Sequence, residues 1–347
     1  MIEVKKEGIL LAKRDLEFEA EGVLNPAVIR EGDSVHIFYR AVQKGNHSTL
    51  GYCRLDGPLT IAERMDIPLI FPEFDYELHG VEDARIVKIE NIYYLTYTGY
   101  DGTNARGALA TSKDLKHFEK HGLIVPPITY AKFVFLVESA GKVNENYYLN
   151  QKFYYQAADI EKKILLWDKN VVFFPRKING KLVFLHRIRP GIQLVSVNSL
   201  DELTCEYWDE YFLNLQEHIV IDPVYPHESS YIGGGCPPIE TEYGWLLIYH
   251  GVQETEIGLI YSACAALMDL NNPVKEISRL PYALFYPQYD WELNGEVNNV
   301  VFPTGTSIFG QTLFIYYGAA DSVIACASVN LPALLAELLI YTKKDEK

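Results

Sequence analysis

The sequence is poor in what metal sites, disulfide scaffolds and nucleic-acid binding need. Its five cysteines, Cys53, Cys205, Cys236, Cys264 and Cys326, are odd in number, widely spaced and without a CxxC pair. That pattern argues against a disulfide framework or zinc knuckle and for free thiols. The nine histidines suggest no metal site. Acidic residues outnumber basic ones 46 to 31, a formal charge of −15, so no basic face for nucleic acid is expected. No apolar run reaches membrane-spanning length, and the first residues, MIEVKKEGIL, lack the apolar core of a signal peptide. The chain therefore reads as cytoplasmic, with no membrane partner. Helical periodicity is scarce as well. The clear case is 331–342 (LPALLAELLIYT), with Asn330 as N-cap and Pro332 in the first turn, expected to pack on the outside.

Aromatic residues are plentiful: 25 Tyr, 16 Phe and 4 Trp. They favour strands, and their flat faces suit saccharides. Short apolar runs alternate with a period of two and are broken by Gly, Asn, Asp and Pro. One unit recurs: a polar lead-in, a short strand, a turn, then an aromatic-rich strand with a polar end. Copies lie near 25–41, 82–102, 169–187, 236–251 and 299–321, with Tyr39, Tyr97, Leu185, Tyr249 and Tyr316 at matching places. Turn residues divide the copies at Gly32-Asp33, Asn91, Asn179-Gly180, Tyr243-Gly244 and Gly310. The expected fold is all-β, a five-bladed β-propeller forming a single domain over 1–347. The insertion 126–166 exceeds what a blade requires and is expected to close over the substrate or reach a neighbouring subunit, so a homo-oligomer stays open.

The strand ends gather chemistry. Arg40, Thr98, His186, Arg187, His250 and Asp321 close the aromatic strands, and equivalent ends converge on one axial pocket. The second copy opens with GVEDARI. Alone, Glu82 and Arg85 would read as a surface ion pair at a hairpin mouth. As one of five equivalent units, the cluster points an acid at the shared axis.

GVEDARI…YYLTYTGYDG…ALATSKDLKHFEKHG, FPRKINGKLVFLHRIRP, IGGGCPPIETEYGWLLIYHGV and GEVNNVVFPTGT together resemble glycoside hydrolase family 130, the β-mannoside phosphorylases and related β-mannosidases. The resemblance runs from about Asn25 to Asp321 and implies the same five-bladed propeller. It implies that Asp83 protonates the departing glycosidic oxygen, by way of a hydroxyl of the bound mannose, with inversion at the anomeric carbon. Inversion needs an acid on one face and a nucleophile on the other. In a phosphorylase that nucleophile is inorganic phosphate, a co-substrate rather than a cofactor, and the product is α-mannose 1-phosphate. The resemblance assigns phosphate contacts to Arg187, His250, Tyr261 and Lys169, the last where arginine is usual. It assigns sugar contacts to Asn25, Arg40, Ser48, Arg54 and Asp321, and Tyr100 and Asp101 follow the catalytic hairpin beside the acceptor.

Two departures bear on the nucleophile. Tyr231 stands where phosphorylases commonly have lysine, and Ala84 where proline usually follows the acid. Hydrolytic relatives replace basic phosphate ligands and use a glutamate to activate water, which makes Glu228 the candidate base of an alternative, an inverting β-mannosidase. A non-catalytic glycan-binding propeller is the second rival, disfavoured by the intact Asp83 and its basic neighbours. No cofactor or metal is expected. Linkage and acceptor sugar are left open.

Overall fold

The alternating runs become strands, and the strands pair in chain order. A computed structural model describes residues 2–141, 143–149 and 164–343, and strand dominates it. The first antiparallel group is Gly22–Glu31, Ser34–Gln43, His47–Asp56 and Thr60–Arg64. The second is Gly80–Ile89, Ile92–Tyr100, Ala105–Ser112 and Phe118–Leu123, joined to the first by one parallel pairing of Ser48 with Gly80. The third is Lys169–Phe173, Leu182–Arg187, Ile192–Val197 and Ile219–Ile221. In the fourth, Tyr231–Gly234, Gly244–Thr255, Gly258–Met268 and Glu276–Arg279 pair in order, with Ile239–Thr241 beside the second strand. The fifth is Val301–Phe309, Thr312–Ala319 and Val323–Asn330, completed by the N-terminal strand Val4–Leu11. The chain thus begins and ends in one sheet.

Apolar faces pack group against group. Phe38 and Leu50 of the first meet Ile86 and Leu95 of the second. Leu109 of the second meets Phe173 and Phe184 of the third. Leu185 of the third meets Ile232 and Leu247 of the fourth. Ile248 of the fourth meets Val301 and Leu313 of the fifth. Tyr316 and Ile324 of the fifth meet Val23 and Val35 of the first. The order of contact closes on itself.

The turns use the chemistry of their residues. Gly32, Asn179, Gly180 and Gly310 take left-handed backbone, with φ of 62°, 51°, 81° and 58°. In the second hairpin that conformation falls on Glu90, with φ of 56°, rather than on the expected Asn91. Asn330 caps the helix Leu331–Ile340, accepting from the Ala333 N–H at 2.9 Å, and Leu334 and Leu338 are buried beneath it. Part of the 126–166 insertion forms the helix Tyr130–Ala140, whose Phe133 meets Phe212 of the helix Cys205–Leu213 edge-to-face at 5.2 Å. Its tip, 150–163, lies outside the described residues, and with it the expectation of a lid or subunit contact.

Four groups share a lock that the sequence reading missed. A short 3-10 or α turn before the group carries a buried glutamate. Glu19, Glu77, Glu228 and Glu292 accept from the hydroxyls of Tyr39, Tyr97, Tyr249 and Tyr317 on the second strand of the group, at 3.1, 2.6, 2.5 and 2.6 Å. A cation from the fourth strand, respectively Arg64, Lys120, Arg279 and Lys6, pairs with each at 2.7, 2.7, 3.1 and 2.5 Å. Tyr317, not Tyr316, is therefore the equivalent of Tyr39. The third group has Leu185 at this place and no such hydroxyl.

Candidate active site

First strands put their polar residues into the centre through a repeated distortion. Strand register slips between Leu24 and Ala27, between Glu82 and Arg85, and between Lys169 and Val172. Each slip holds a non-glycine residue in left-handed backbone: Asn25 at φ 48°, Asp83 at 49° and Asn170 at 55°. Such a bulge costs about 1–3 kcal/mol and re-aims a side chain. All three residues line a cavity of about 200 Å³, with Arg40, Trp167, Lys169, Arg187, Arg189, Tyr231, His250, Tyr261, Phe302 and Asp321. Two larger grooves, of about 390 and 420 Å³, lie elsewhere, and their charged residues are exposed or partly exposed.

The acidic side is tightly held. Asn25 Nδ2 donates to Asp83 Oδ1 at 2.7 Å, and Arg40 Nη1 lies 3.5 Å from the same oxygen. Arg40 Nη2 donates to Glu82 at 2.8 Å and Arg40 Nε to Ser48 Oγ at 2.8 Å. Burial pushes the Asp83 carboxyl up, but Arg40, Lys169, the Asn25 hydrogen bond and Arg85 together hold it below the usual carboxylate range. Asp321 behaves oppositely: burial, aided by the charges of Asp83 and Glu82 against Arg40 and Lys169, pushes it up to about 6.

Arg85 does not pair with Glu82. It is 1% exposed and turns along the axis, donating to the carbonyls of Asp83 and Ala84 at 2.9 Å and to those of Gly234 and Gly235. It lies outside the cavity lining and fixes the bulge at Asp83 through these carbonyls. The three glycines give room there: a Cβ on Gly235 would meet the Ile248 carbonyl at 2.4 Å, and one on Gly233 the His250 ring at 2.5 Å.

The opposite side is basic. Arg187 Nε, Asn170 Nδ2 and both ring nitrogens of His250 are buried without a hydrogen-bond partner among the described residues. Burial, then the neighbouring Arg187, Arg85 and Arg189, keep His250 neutral. Lys169 stands 5.2 Å over Trp167, and the Tyr231 and Tyr261 hydroxyls meet at 2.6 Å. Buried donors without acceptors are costly, and here they face one space. On the same strand, His186 faces the other way, between Asp168 and Tyr211.

Several expected residues lie elsewhere. Arg54 is on the outer side of the first group, paired with Asp56 and Glu63, because its strand presents it away from the axis. Ser48 is fully buried behind Arg40 and supports that guanidinium rather than lining the cavity. Asp101 caps its own turn, accepting from the Thr103 and Asn104 N–H groups at 2.8 and 2.6 Å and from the Asn104 side chain. Tyr100 does not line the cavity but lies edge-on to Trp167, which does, at 6.4 Å. Glu228 cannot serve as a base here: both its oxygens are engaged by Val224 N, Tyr225 N, Tyr249 and Arg279, in the lock described above. His227, Glu228 and Cys264 lie within 4.8 Å of one another, yet Arg279 already neutralises the carboxylate. The histidine pair spaced by four, His117 and His121, is extended rather than helical and engages Asp114 and Thr111.

Asn170, Arg189 and Trp167 were not anticipated. Asn170 had a signal: it holds the same place in its copy as Asn25 and Asp83 in theirs.

An acid facing a basic wall across a sugar-sized space is the layout of a carbohydrate-active enzyme. A family model described as beta-1,4-mannooligosaccharide phosphorylase matches residues 12–338. The chain belongs to glycoside hydrolase family 130. It is 32% identical to 1,2-beta-oligomannan phosphorylase of Thermoanaerobacter sp. (strain X514) over 95% of this chain and 98% of that protein. It is also 32% identical to a beta-1,2-mannobiose phosphorylase of the same organism, over 93% and 94%. Its fold resembles the Listeria innocua beta-1,2-mannobiose phosphorylase in complex with beta-1,2-mannobiose, with a TM-score of 0.73, 23% identity, and 98% and 100% of the chains covered.

Proposed function

We propose that this protein is an inverting β-mannoside phosphorylase, built as a single five-bladed β-propeller in which the five sheet groups are the blades. The carrying observation is the cavity that sets Asp83 across from the unpartnered donors of Arg187, Asn170 and His250. Asn25, Arg40 and Asp321 hold the mannosyl unit on the acidic side. Inorganic phosphate lies among Lys169, Asn170, Arg187, His250 and Tyr261, held by charge-assisted hydrogen bonds. A phosphate oxygen attacks the anomeric carbon, the glycosidic C–O bond breaks, and the departing oxygen takes the Asp83 proton through a mannose hydroxyl. Phosphate beside Lys169 offsets one of the cations that hold Asp83 ionised, so the nucleophile helps its own acid keep a proton. Tyr100 and Trp167 flank the acceptor at the mouth.

The near full-length relatives carry β-1,2 activities in their names, so β-1,2-mannobiose is the first substrate to test. A cytoplasmic location belongs to this reading, since a sugar phosphate feeds metabolism directly. The hydrolytic alternative loses its base with Glu228. The test is turnover of β-1,2-mannobiose with and without phosphate. Mannose 1-phosphate is expected only with phosphate, and Asp83→Asn is expected to cut kcat by about 10²–10⁴-fold. Equal release of free mannose in both conditions refutes phosphorolysis.

A further inference from the structure

Tyr231 leaves the basic wall one lysine short of what related phosphorylases commonly carry. It is only 4% exposed, and its hydroxyl is fixed by Tyr261 at 2.6 Å. Two guanidiniums share its ring. Arg189 lies 3.8 Å from the ring centroid and Arg187 5.3 Å, and all three residues line the cavity. A guanidinium that close over an aromatic face is attracted by the ring quadrupole, the more so when partly desolvated. The ring therefore offsets part of the cost of bringing a second arginine to the wall.

We propose that Arg189, seated on the Tyr231 ring, is a phosphate-binding residue that supplies the charge of the missing lysine. This rests on the phosphorolytic reading. Tyr231 then acts as a platform: the Tyr231–Tyr261 contact sets the ring plane, and the ring sets the guanidinium. The electrostatics agree. Burial, and next the charge of Arg189, lower the Arg187 guanidinium, and Arg189 also helps keep His250 neutral. Cations crowded onto one wall repel unless an anion sits between them. A planar guanidinium fork also suits a tetrahedral oxyanion better than a lysine point charge.

The test measures KM for phosphate and for β-1,2-mannobiose in four variants, with folding checked by Tm. Arg189→Gln is expected to raise the phosphate KM about tenfold or more, with the mannobiose KM within about twofold, as fits loss of one charged hydrogen-bonding group. Arg189→Lys, which keeps charge but loses the fork, falls between. Tyr231→Leu raises the phosphate KM although it removes no charge. The double variant Arg189→Gln/Tyr231→Lys recovers affinity by restoring the lysine. A phosphate-dependent wild type with an unchanged phosphate KM in Arg189→Gln overturns the inference. A wild type indifferent to phosphate overturns the phosphorolytic reading instead. The phosphate-induced rise in Tm then decides on Arg189: loss of that rise in Arg189→Gln supports the assignment, and its persistence overturns it.

Discussion

At the residue scale, two carboxyls in one cavity are driven apart by their surroundings. Asp83 keeps its charge because cations and Asn25 outweigh burial. Asp321 is raised because burial and two neighbouring carboxylates outweigh Arg40 and Lys169. The two have opposite consequences for stability. Asp321 rises from 3.8 unfolded to about 6 folded, so the folded state binds its proton more tightly. Its ionisation costs nothing below about pH 4, and the cost grows as pH rises through 6. Asp321→Asn is thus expected to stabilise the protein at pH 7.5, on the order of 1–2 kcal/mol after allowance for partial exposure, and to change nothing near pH 4. Activity falls at pH 7.5, where the sugar loses a charged acceptor. Denaturant unfolding at the two pH values checks this; a lower midpoint at pH 7.5 contradicts it. Asp83 was legible because EDAR sits inside a longer motif. Arg54 and Asp101 misled because strand position and turn capping decide where a polar side chain goes, and neither shows in the residue type.

At the element scale, the glutamate locks bind the lead-in turn, second strand and fourth strand of four groups. Each buried carboxylate holds a tyrosine and a cation, and Glu77, Glu228 and Glu292 hold two backbone N–H groups as well; removing one leaves an unpaired buried charge, at a cost of about 3–5 kcal/mol. Glu228→Gln is expected to lower Tm clearly while folded enzyme keeps its phosphate-dependent turnover. Loss of turnover at unchanged Tm would return Glu228 to the role of base. The spacing was present in the sequence: Leu16 to Glu19, Phe74 to Glu77, Tyr225 to Glu228 and Tyr289 to Glu292 each place an aromatic or aliphatic residue three before the acid. It was missed because the glutamate precedes the hairpin that carries the obvious repeat. The bulges at Asn25, Asp83 and Asn170 were hidden for a different reason. A register slip depends on pairing with the next strand, and only Pro26 hints at it.

At the scale of the molecule, the repeated hairpins were legible because alternation and turn residues are local signals. The third and fourth strands of each group were not, being shorter and less aromatic. The first strand of the fourth group, Tyr231–Gly234, begins before the sequence repeat at 236–251. Completion of the fifth group by Val4–Leu11 is a pairing across the whole chain that no local pattern announces. That closure gives the site its form: residues from all five groups meet in one cavity, where Asp83 of the second and Asp321 of the fifth, beside Asn25 and Arg40 of the first, face donors from the third and fourth. What attacks the mannosyl carbon, and from which face, is the central question of this site. Proton and phosphorus NMR of the first product formed from β-1,2-mannobiose and phosphate reads both at once. Mannose 1-phosphate with α configuration at the anomeric carbon is expected. Free mannose as the first product, or the β-phosphate, would contradict it.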